Sequence, residues 1–376
     1  MKGHAPLLLF ALALFLPSCE RGRPPTVVGL AIALDPSVAA FFQASLDASH
    51  RDGWPVIRLT PAPDTPVVAP RPGDGALVGA VDAAVRFIGL AGLAAVIGPA
   101  GSGEALVAAP IYQEAGIPHL LPTANAPELD RFGRWTFRLA PDLVEEARFM
   151  ADRVERVYGS RTVTVFYAPD EWGIPLQDAV SAALRSRGVG VVDRLPVPPL
   201  ACEGDRRVDQ LVAASLRRRV PEAAILALRA PEVACVARAL HARSPRIRLL
   251  AGDGTTPSAL LRRSAGPAAG ALEVVAFWDP ADTNQAARAF VDAFRHATGR
   301  EPRPDEALAY DAVLAAVTAI RAVGPDPSAV RDHLASLGRD RPPLAGVTGP
   351  VRFGDRPPGR FVVRALTGAP VARTDP

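Results

Sequence analysis

VIGPAGSGEALVAAPIYQEAGIPHLLPTANAPEL, running from Val96 to Leu129, contains one small device twice. An apolar strand, Leu93 to Ile97, runs into the turn Gly98-Pro99-Ala100-Gly101, and Ser102 opens a run whose apolar positions Leu106, Ala109 and Ile111 suit a helix. A second short strand, Ile117 to Leu121, runs through Pro122 and Thr123 to Asn125, where another helix is expected to begin. Ser and Asn are favoured N-cap residues, and Asn125 is followed by Pro127 and Glu128, close to a capping box. In a parallel sheet both turns open at the same carboxyl edge. Two helix N-termini, with free N–H groups and positive dipole ends, then face one crevice. The expected product is a receptor for a carboxylate, built from Ser102, Asn125 and the backbone N–H groups near Thr123 and Asn125. Two ordinary capped helices of an α/β domain would carry the same caps, so the pattern alone leaves both readings open.

Phosphate and acyl-transfer chemistry fit the stretch poorly. Gly98 to Gly103 has the spacing of a phosphate-binding loop, but Glu104 and Ala105 stand where Lys and Ser or Thr belong. No strand–GxGxxG–helix element is present, and Gly101-Ser102-Gly103 is not a GxSxG elbow.

The same residues resemble the solute-binding proteins for leucine, isoleucine and valine, of the type I periplasmic binding fold. The VIGP…S turn, the Ala108-Ala109-Pro110-Ile111 helix with Glu114-Ala115-Gly116-Ile117-Pro118 after it, and Pro122-Thr123-Ala124-Asn125-Ala126-Pro127-Glu128-Leu129 stand in the family's order and spacing. Asn125 stands where the family usually has Thr or Ser. Further matches are the Phe137-Arg138…Pro141 crossing, ALAYDAV from Ala307 to Val313, and GVTGPVRFGDR from Gly346 to Arg356. The match is weakest between Asp35 and Gly75, where the family's first loop and helix are shortened.

The rest of the chain alternates short apolar strands with amphipathic helices, the pattern of a parallel α/β sheet. The resemblance implies two Rossmann-like lobes with parallel sheets, joined by a three-strand hinge. The expected division is a first lobe of residues 26–139 and 280–344 and a second of 140–279 and 345–370. The apolar positions Leu77, Val81, Ala84, Val85 and Ile88 mark the expected inner face of one helix. Prolines 61, 63, 66, 70 and 72 indicate a surface loop before it.

The beginning of the chain points to export. Lys2 precedes an apolar run from Leu7 to Leu16, too short to span a bilayer but suited to a signal-peptide core within residues 1–18. Leu16-Pro17-Ser18-Cys19 resembles a bacterial lipobox, so Cys19 is the expected lipidation site, with 19–25 as a tether. Cys202 and Cys235, 33 positions apart, are a candidate disulfide in an oxidising compartment. The hydrophobic share of 49% argues against disorder. A net charge of +3 without an Arg cluster interleaved with aromatics makes nucleic acid an unlikely partner. The six His show no HxH or HExxH spacing, so neither a metal nor another cofactor is expected.

Three second-lobe positions match family contact positions. Trp172, in the family usually Tyr before Gly, would cover the ligand with an aromatic face. Asp253 would pair with a ligand ammonium, and Arg229 stands where aliphatic binders often carry Tyr. Ordinary helix packing, a turn-forming Asp and a surface ion pair with Glu232 are the plainer roles for these three. Arg229 suits a second anion, so the expected ligand is polar or acidic, an amino acid or related carboxylate with a second acceptor group, over leucine or valine; the competing case, Arg229 folded back onto Asp253 or Glu232, would leave room for an uncharged one. The implied function is an exported, lipid-anchored binder, not an enzyme. It would capture an amino-acid-like or carboxylate ligand between hinged lobes and deliver it to an ABC permease. A ligand-sensing or scaffold lipoprotein of the envelope is the alternative. Mass spectrometry of the mature protein is expected to find an acylated Cys19 at its N-terminus; a native chain starting elsewhere without lipid would refute this.

Overall fold

The computed structural model describes residues 25–51, 54–61, 76–199, 206–282, 284–353 and 360–366. The expected signal segment, Cys19, Cys202 and the Pro-rich stretch after Pro61 lie outside the described residues. The first sheet holds β1 (Thr26–Leu30), β2 (Ile57–Pro61), β3 (Leu93–Ile97), β4 (His119–Leu121) and β5 (Thr136–Arg138). Its order is β2-β1-β3-β4-β5 and every pair is parallel. β3 reads LAAVI with all residues buried, as a parallel strand covered on both faces requires. One face of this sheet packs on α1 (Pro36–Ala48), α9 (Gln285–Thr298), α10 (Pro304–Val323) and α11 (Pro327–Ser336), around Phe42, Phe290 and Phe294. The other face packs on α2 (Ala76–Ile88) and α3 (Ser102–Ala115), around Phe87 and Tyr112.

The second sheet is built from β6 (Thr162–Tyr167), β7 (Gly190–Pro196), β8 (Ala223–Ala227), β9 (Arg248–Ala251) and β10 (Leu272–Ala276). The helices α4 (Leu143–Asp152) and α5 (Gly173–Ser186) cover one face, and α6 (Arg206–Arg218), α7 (Ala230–Arg243) and α8 (Ala259–Ala265) the other. After a short ladder of β11 (Leu344–Ala345) and β12 (Pro350–Val351), the chain adds β13 (Val362–Ala365) antiparallel to β10. The six-stranded order is β13-β10-β9-β8-β6-β7. Two α/β lobes with parallel sheets are therefore present, the architecture expected from the sequence.

Two details differ from expectation. The expected second lobe resumes at residue 345, yet Val347 and Val351 are buried in the core of the first, and Phe353 meets the Phe137 ring edge-on at 5.1 Å. Buried Asp311 in α10 explains the placement. Its carboxylate accepts the N–H groups of Val347 and Thr348 (2.7 and 2.8 Å) and the Thr348 hydroxyl (2.6 Å). Gly346 allows that approach, since a Cβ there would stand 2.6 Å from Asp311 Oδ2. Burial raises the Asp311 carboxyl to about 6, and these three donors oppose the shift.

The second difference is α2. Of its expected inner stripe only Ala84 is buried; Val85 is 53% exposed and Leu77, Val81 and Ile88 are also open to solvent, as is Val78 at 73%. The buried positions are Ala76, Ala83, Ala84 and Phe87. Small alanines let α2 approach α3 closely, and Phe87 supplies the bulk, lying over Gly29, where a Cβ would meet the ring at 2.7 Å. Urea unfolding should therefore separate the two faces. Phe87→Ala is expected to cost about 3–5 kcal/mol, whereas Val85→Ser should stay within about 0.5 kcal/mol of the parent. Equal losses would refute this packing.

Candidate functional site

The turn after β3 is fixed by a buried histidine. Gly98 sits at φ +93° before a cis Pro99, and a Cβ on it would strike Ile32 at 2.2 Å, so only glycine fits. His119 in β4 bonds the Gly98 carbonyl at 2.6 Å through Nε2, which must donate because a carbonyl only accepts. Burial lowers His119 to about 4, keeping the ring neutral at physiological pH. The Thr123 hydroxyl donates to the Ala100 carbonyl at 2.9 Å and ties the second turn to the first.

Ser102 and Asn125 come together, though not as caps. Gly101 stands at the N-cap of α3, and Ala126 precedes a six-residue 3-10 turn, Pro127–Phe132; neither makes a side-chain cap bond. Buried Ser102 instead accepts the N–H groups of Asn125 and Ala126 at 3.4 and 3.3 Å. Part of the expected anion receptor is thus satisfied within the protein. Arg138, in β5, donates through Nη1 to the Asn125 and Ala126 carbonyls at 3.1 Å each, and through Nη2 to Asp130 at 2.6 Å. That fork holds the turn from beneath and leaves the Asn125 side chain aimed across the crevice.

There Asn125 Nδ2 donates to Asp253 Oδ2 at 3.2 Å, a bond between the lobes. Asp253 follows β9, and its Oδ1 accepts the Trp172 indole N–H at 3.2 Å. Trp172 is held at the start of α5 by Asp170, whose Oδ1 accepts the N–H groups of Trp172 and Gly173 at 3.1 and 2.8 Å. The indole lies over Gly254, where a Cβ would stand 2.4 Å from Cη2. Behind Asp253, Glu146 Oε1 accepts the Asp253 N–H at 2.9 Å. Burial raises Asp253 to about 6 against the pull of Glu146, Trp172 and the Arg229 charge. Glu146 is raised well above the carboxylate range, first by burial and then by the neighbouring Asp253 charge. Asn125 Oδ1 is buried without a hydrogen-bond partner.

Arg229 takes neither course expected of it. It is ion-paired to Asp170 and lies over the Trp172 ring at 5.3 Å, because both sit at adjoining carboxyl ends of parallel strands. A cavity of about 470 Å³ opens between the lobes here, with Leu77, Val78, Glu104, Glu171, Arg229 and Glu232 on its walls. Carboxylates outnumber the single guanidinium on that wall. A larger cavity, about 600 Å³, lies at the lobe crossing beside Arg138, Pro141, Phe277 and Thr348. Of the expected site residues Arg229 alone lines the inter-lobe cavity, and its contact with Trp172 joins that cavity to the Trp172–Asp253–Asn125 chain, which together form the candidate site.

Sequence reasoning missed Glu146, Asp170 and the role of Arg138. A signal existed for Glu146, which occupies the buried stripe Leu143, Glu146, Ala147, Met150 of α4. Cys235 is disulfide-bonded; Cys202, its expected partner, lies outside the described residues.

Comparison with known proteins places this geometry. Residues 73–372 match the family model described as periplasmic binding protein. The Leu/Ile/Val-binding protein BraC3 of Rhizobium johnstonii is 27% identical over 175 residues, 46% of each chain, so the match spans about half of that relative. A leucine-binding protein of Thermotoga maritima superposes with a TM-score of 0.78 at 20% identity, covering 90% of this chain and 94% of the other. A solute-binding protein of an ABC transporter from R. palustris, crystallised with benzoate, gives 0.76 at 18% identity over 92% and 94%. The crevice between two parallel-sheet lobes, the Ser102 turn and these likenesses agree, and the chain belongs to the periplasmic binding protein family.

Proposed function

We propose that this protein is the lipid-anchored capture component of an ABC importer and that its ligand is a small amino acid or a close analogue. The observation that carries the reading is the acceptor set in the crevice: the half-buried Asp253 carboxylate and the buried, partnerless Asn125 Oδ1. Both call for donors, which an ammonium group supplies and a simple carboxylate lacks. The ligand carboxylate would lie toward Ser102 and Thr123, with Trp172 over the body and the permease as the receiving partner. The related proteins are binders; BraC3 is named for leucine, isoleucine and valine. No catalytic step is assigned to the crevice.

A hydrogen bond to a charged group contributes about 1.5–3 kcal/mol, while micromolar affinity needs about −8 kcal/mol. The polar contacts therefore orient the ligand, and closure around its body must supply the remainder. A ligand-sensing or scaffold role is the second reading. It is favoured by the Asn125–Asp253 bond, through which the chain itself joins the two lobes.

A thermal-shift screen of amino acids and simple carboxylates on the soluble Cys19→Ser chain tests the proposal. A true ligand at a hundredfold excess over its Kd should stabilise the fold by about 2.7 kcal/mol. Asp253→Asn should weaken ammonium-bearing ligands by about 1.5–3 kcal/mol and leave benzoate unchanged, and Ser102→Ala should weaken carboxylate ligands by a similar amount. If no amino acid shifts the melting temperature, the reading fails and the scaffold role gains. Among amino acids, glutamate and aspartate should bind more weakly than uncharged or basic ones. Their side chains would meet Glu104, Glu171 and Glu232 and would have to displace Asp170 from Arg229. Competition isotherms that rank glutamate first would contradict that order.

A further inference from the structure

Glu146 has no role in the reading above, yet it is fully buried directly behind the ligand-facing Asp253. Its Oε1 accepts the Asp253 N–H, and its Oε2 is buried without a hydrogen-bond donor. A Cβ on Gly252 would meet Glu146 Oε1 at 3.1 Å, the Leu176 side chain at 3.3 Å and the Met150 side chain at 3.9 Å, so backbone and apolar groups wall the site. No cation among the described residues forms an ion pair with Glu146. An ionised carboxylate buried there would lack compensation, and such a group protonates instead. A protonated Glu146 carboxyl is a donor, and the Asp253 carboxyl stands beside it, on the residue whose N–H it accepts.

We infer that Glu146 is a positioning residue that keeps its proton at neutral pH and donates it to Asp253, so that the buried pair carries one negative charge, matched to one ligand ammonium. This rests on the amino-acid reading of the crevice for its purpose but not for its test. The pair would otherwise hold two like charges side by side, which buried carboxyls avoid by sharing a proton. Other polar groups facing it are few. Trp172 Nε1 and Asn125 Nδ2 donate to Asp253, Arg229 acts on it through space, and Asp170 faces Arg229 from the other side. The first three favour the charge on Asp253, and none of them reaches Glu146.

The consequence for pH follows in sign. Asp253 is raised from about 4 in the unfolded chain to about 6 in the fold. Its contribution to stability is therefore present below about 4 and lost as pH rises through about 6. An ammonium ligand requires the ionised form. With L-leucine as the probe, affinity should climb about tenfold per pH unit below about 6 and level off above, because Glu146 adds no second charge.

Carbon-13 NMR of the carboxyl groups in the ligand-free protein decides the matter. Glu146 is expected to show the shift of an un-ionised acid at pH 7 while Asp253 titrates near 6. Glu146→Gln, whose amide can also donate, should leave the Asp253 midpoint within a few tenths of a unit and the melting temperature unchanged. Glu146→Leu, which removes both donor and acceptor, should move the Asp253 midpoint up. A Glu146 carbon already ionised at pH 7, or an Asp253 midpoint that falls by a unit or more in Glu146→Gln, would overturn the inference. These measurements need no ligand, so a failed amino-acid screen would defeat the ammonium reading without touching this result.

Discussion

A carboxylate can stay inside a protein only where donors converge on it, and Asp253 is the point on which this crevice is assembled. The Trp172 indole, the Asn125 amide and the field of Arg229 all favour its charge. Each donor comes from a different part of the fold. Trp172 opens α5, Arg229 precedes α7, and Asn125 belongs to the opposite lobe. Parallel sheets bring these together because every strand-to-helix turn in a lobe emerges at the same edge. The polar groups are expensive to bury singly, and their mutual satisfaction makes the turns hold one geometry.

The supporting layer has the same logic. Arg138 and His119 touch no ligand-facing atom, yet each spends its donors on backbone carbonyls of the turns that carry Asn125 and Ser102. The Arg138 side chain is 1% exposed and paired with Asp130. Truncating such a partner would strand buried carbonyls, so the precision of the crevice depends on residues one shell removed from it. On the hinge side, Asp311 does comparable work by gripping Val347 and Thr348 before the chain returns to the second lobe.

The fold was legible because it rests on periodicity and turn chemistry. The runs at β3 and β8 are apolar throughout, and Gly98, Gly101 and Gly116 stand where the turns after β3 and α3 occur. Ser102 and Asn125 were found through their strand–turn–cap pattern, Trp172 and Asp253 through the family resemblance, and hydrogen bonds join the four in one region. What the sequence hid was orientation. Nothing local tells whether α2 buries Val81 and Val85 or Ala83, Ala84 and Phe87; the approach of α3 and the space over Gly29 decide it. Arg229 was undecidable for the same reason, since Asp170 lies 59 positions away and meets it only at the end of a neighbouring strand. Glu146 was readable in principle, as a carboxyl on the apolar stripe of α4, but its neighbour Glu145 obscured the choice.

The Asn125–Asp253 bond also sets limits on how the lobes can work. A hydrogen bond to a charged acceptor contributes about 1.5–3 kcal/mol, which biases closed over open by roughly ten- to 150-fold. That is enough to hold the lobes together much of the time and too little to prevent opening on the microsecond to millisecond scale of hinge motion. On the proposed function, an ammonium arriving at Asp253 would compete for the same oxygen, so ligand and latch would not simply add. The ligand must restore through its own contacts, with Asn125 Oδ1 and the indole face, whatever the latch gives up. A ligand shifts the equilibrium only by its differential affinity for the two states. Selectivity then resides in whether a molecule can replace the Asn125 amide as the donor to Asp253 while still spanning to the Ser102 turn. On the proposed function that demand would be met by a group carrying an ammonium and a carboxylate a short distance apart, and not by either charge alone.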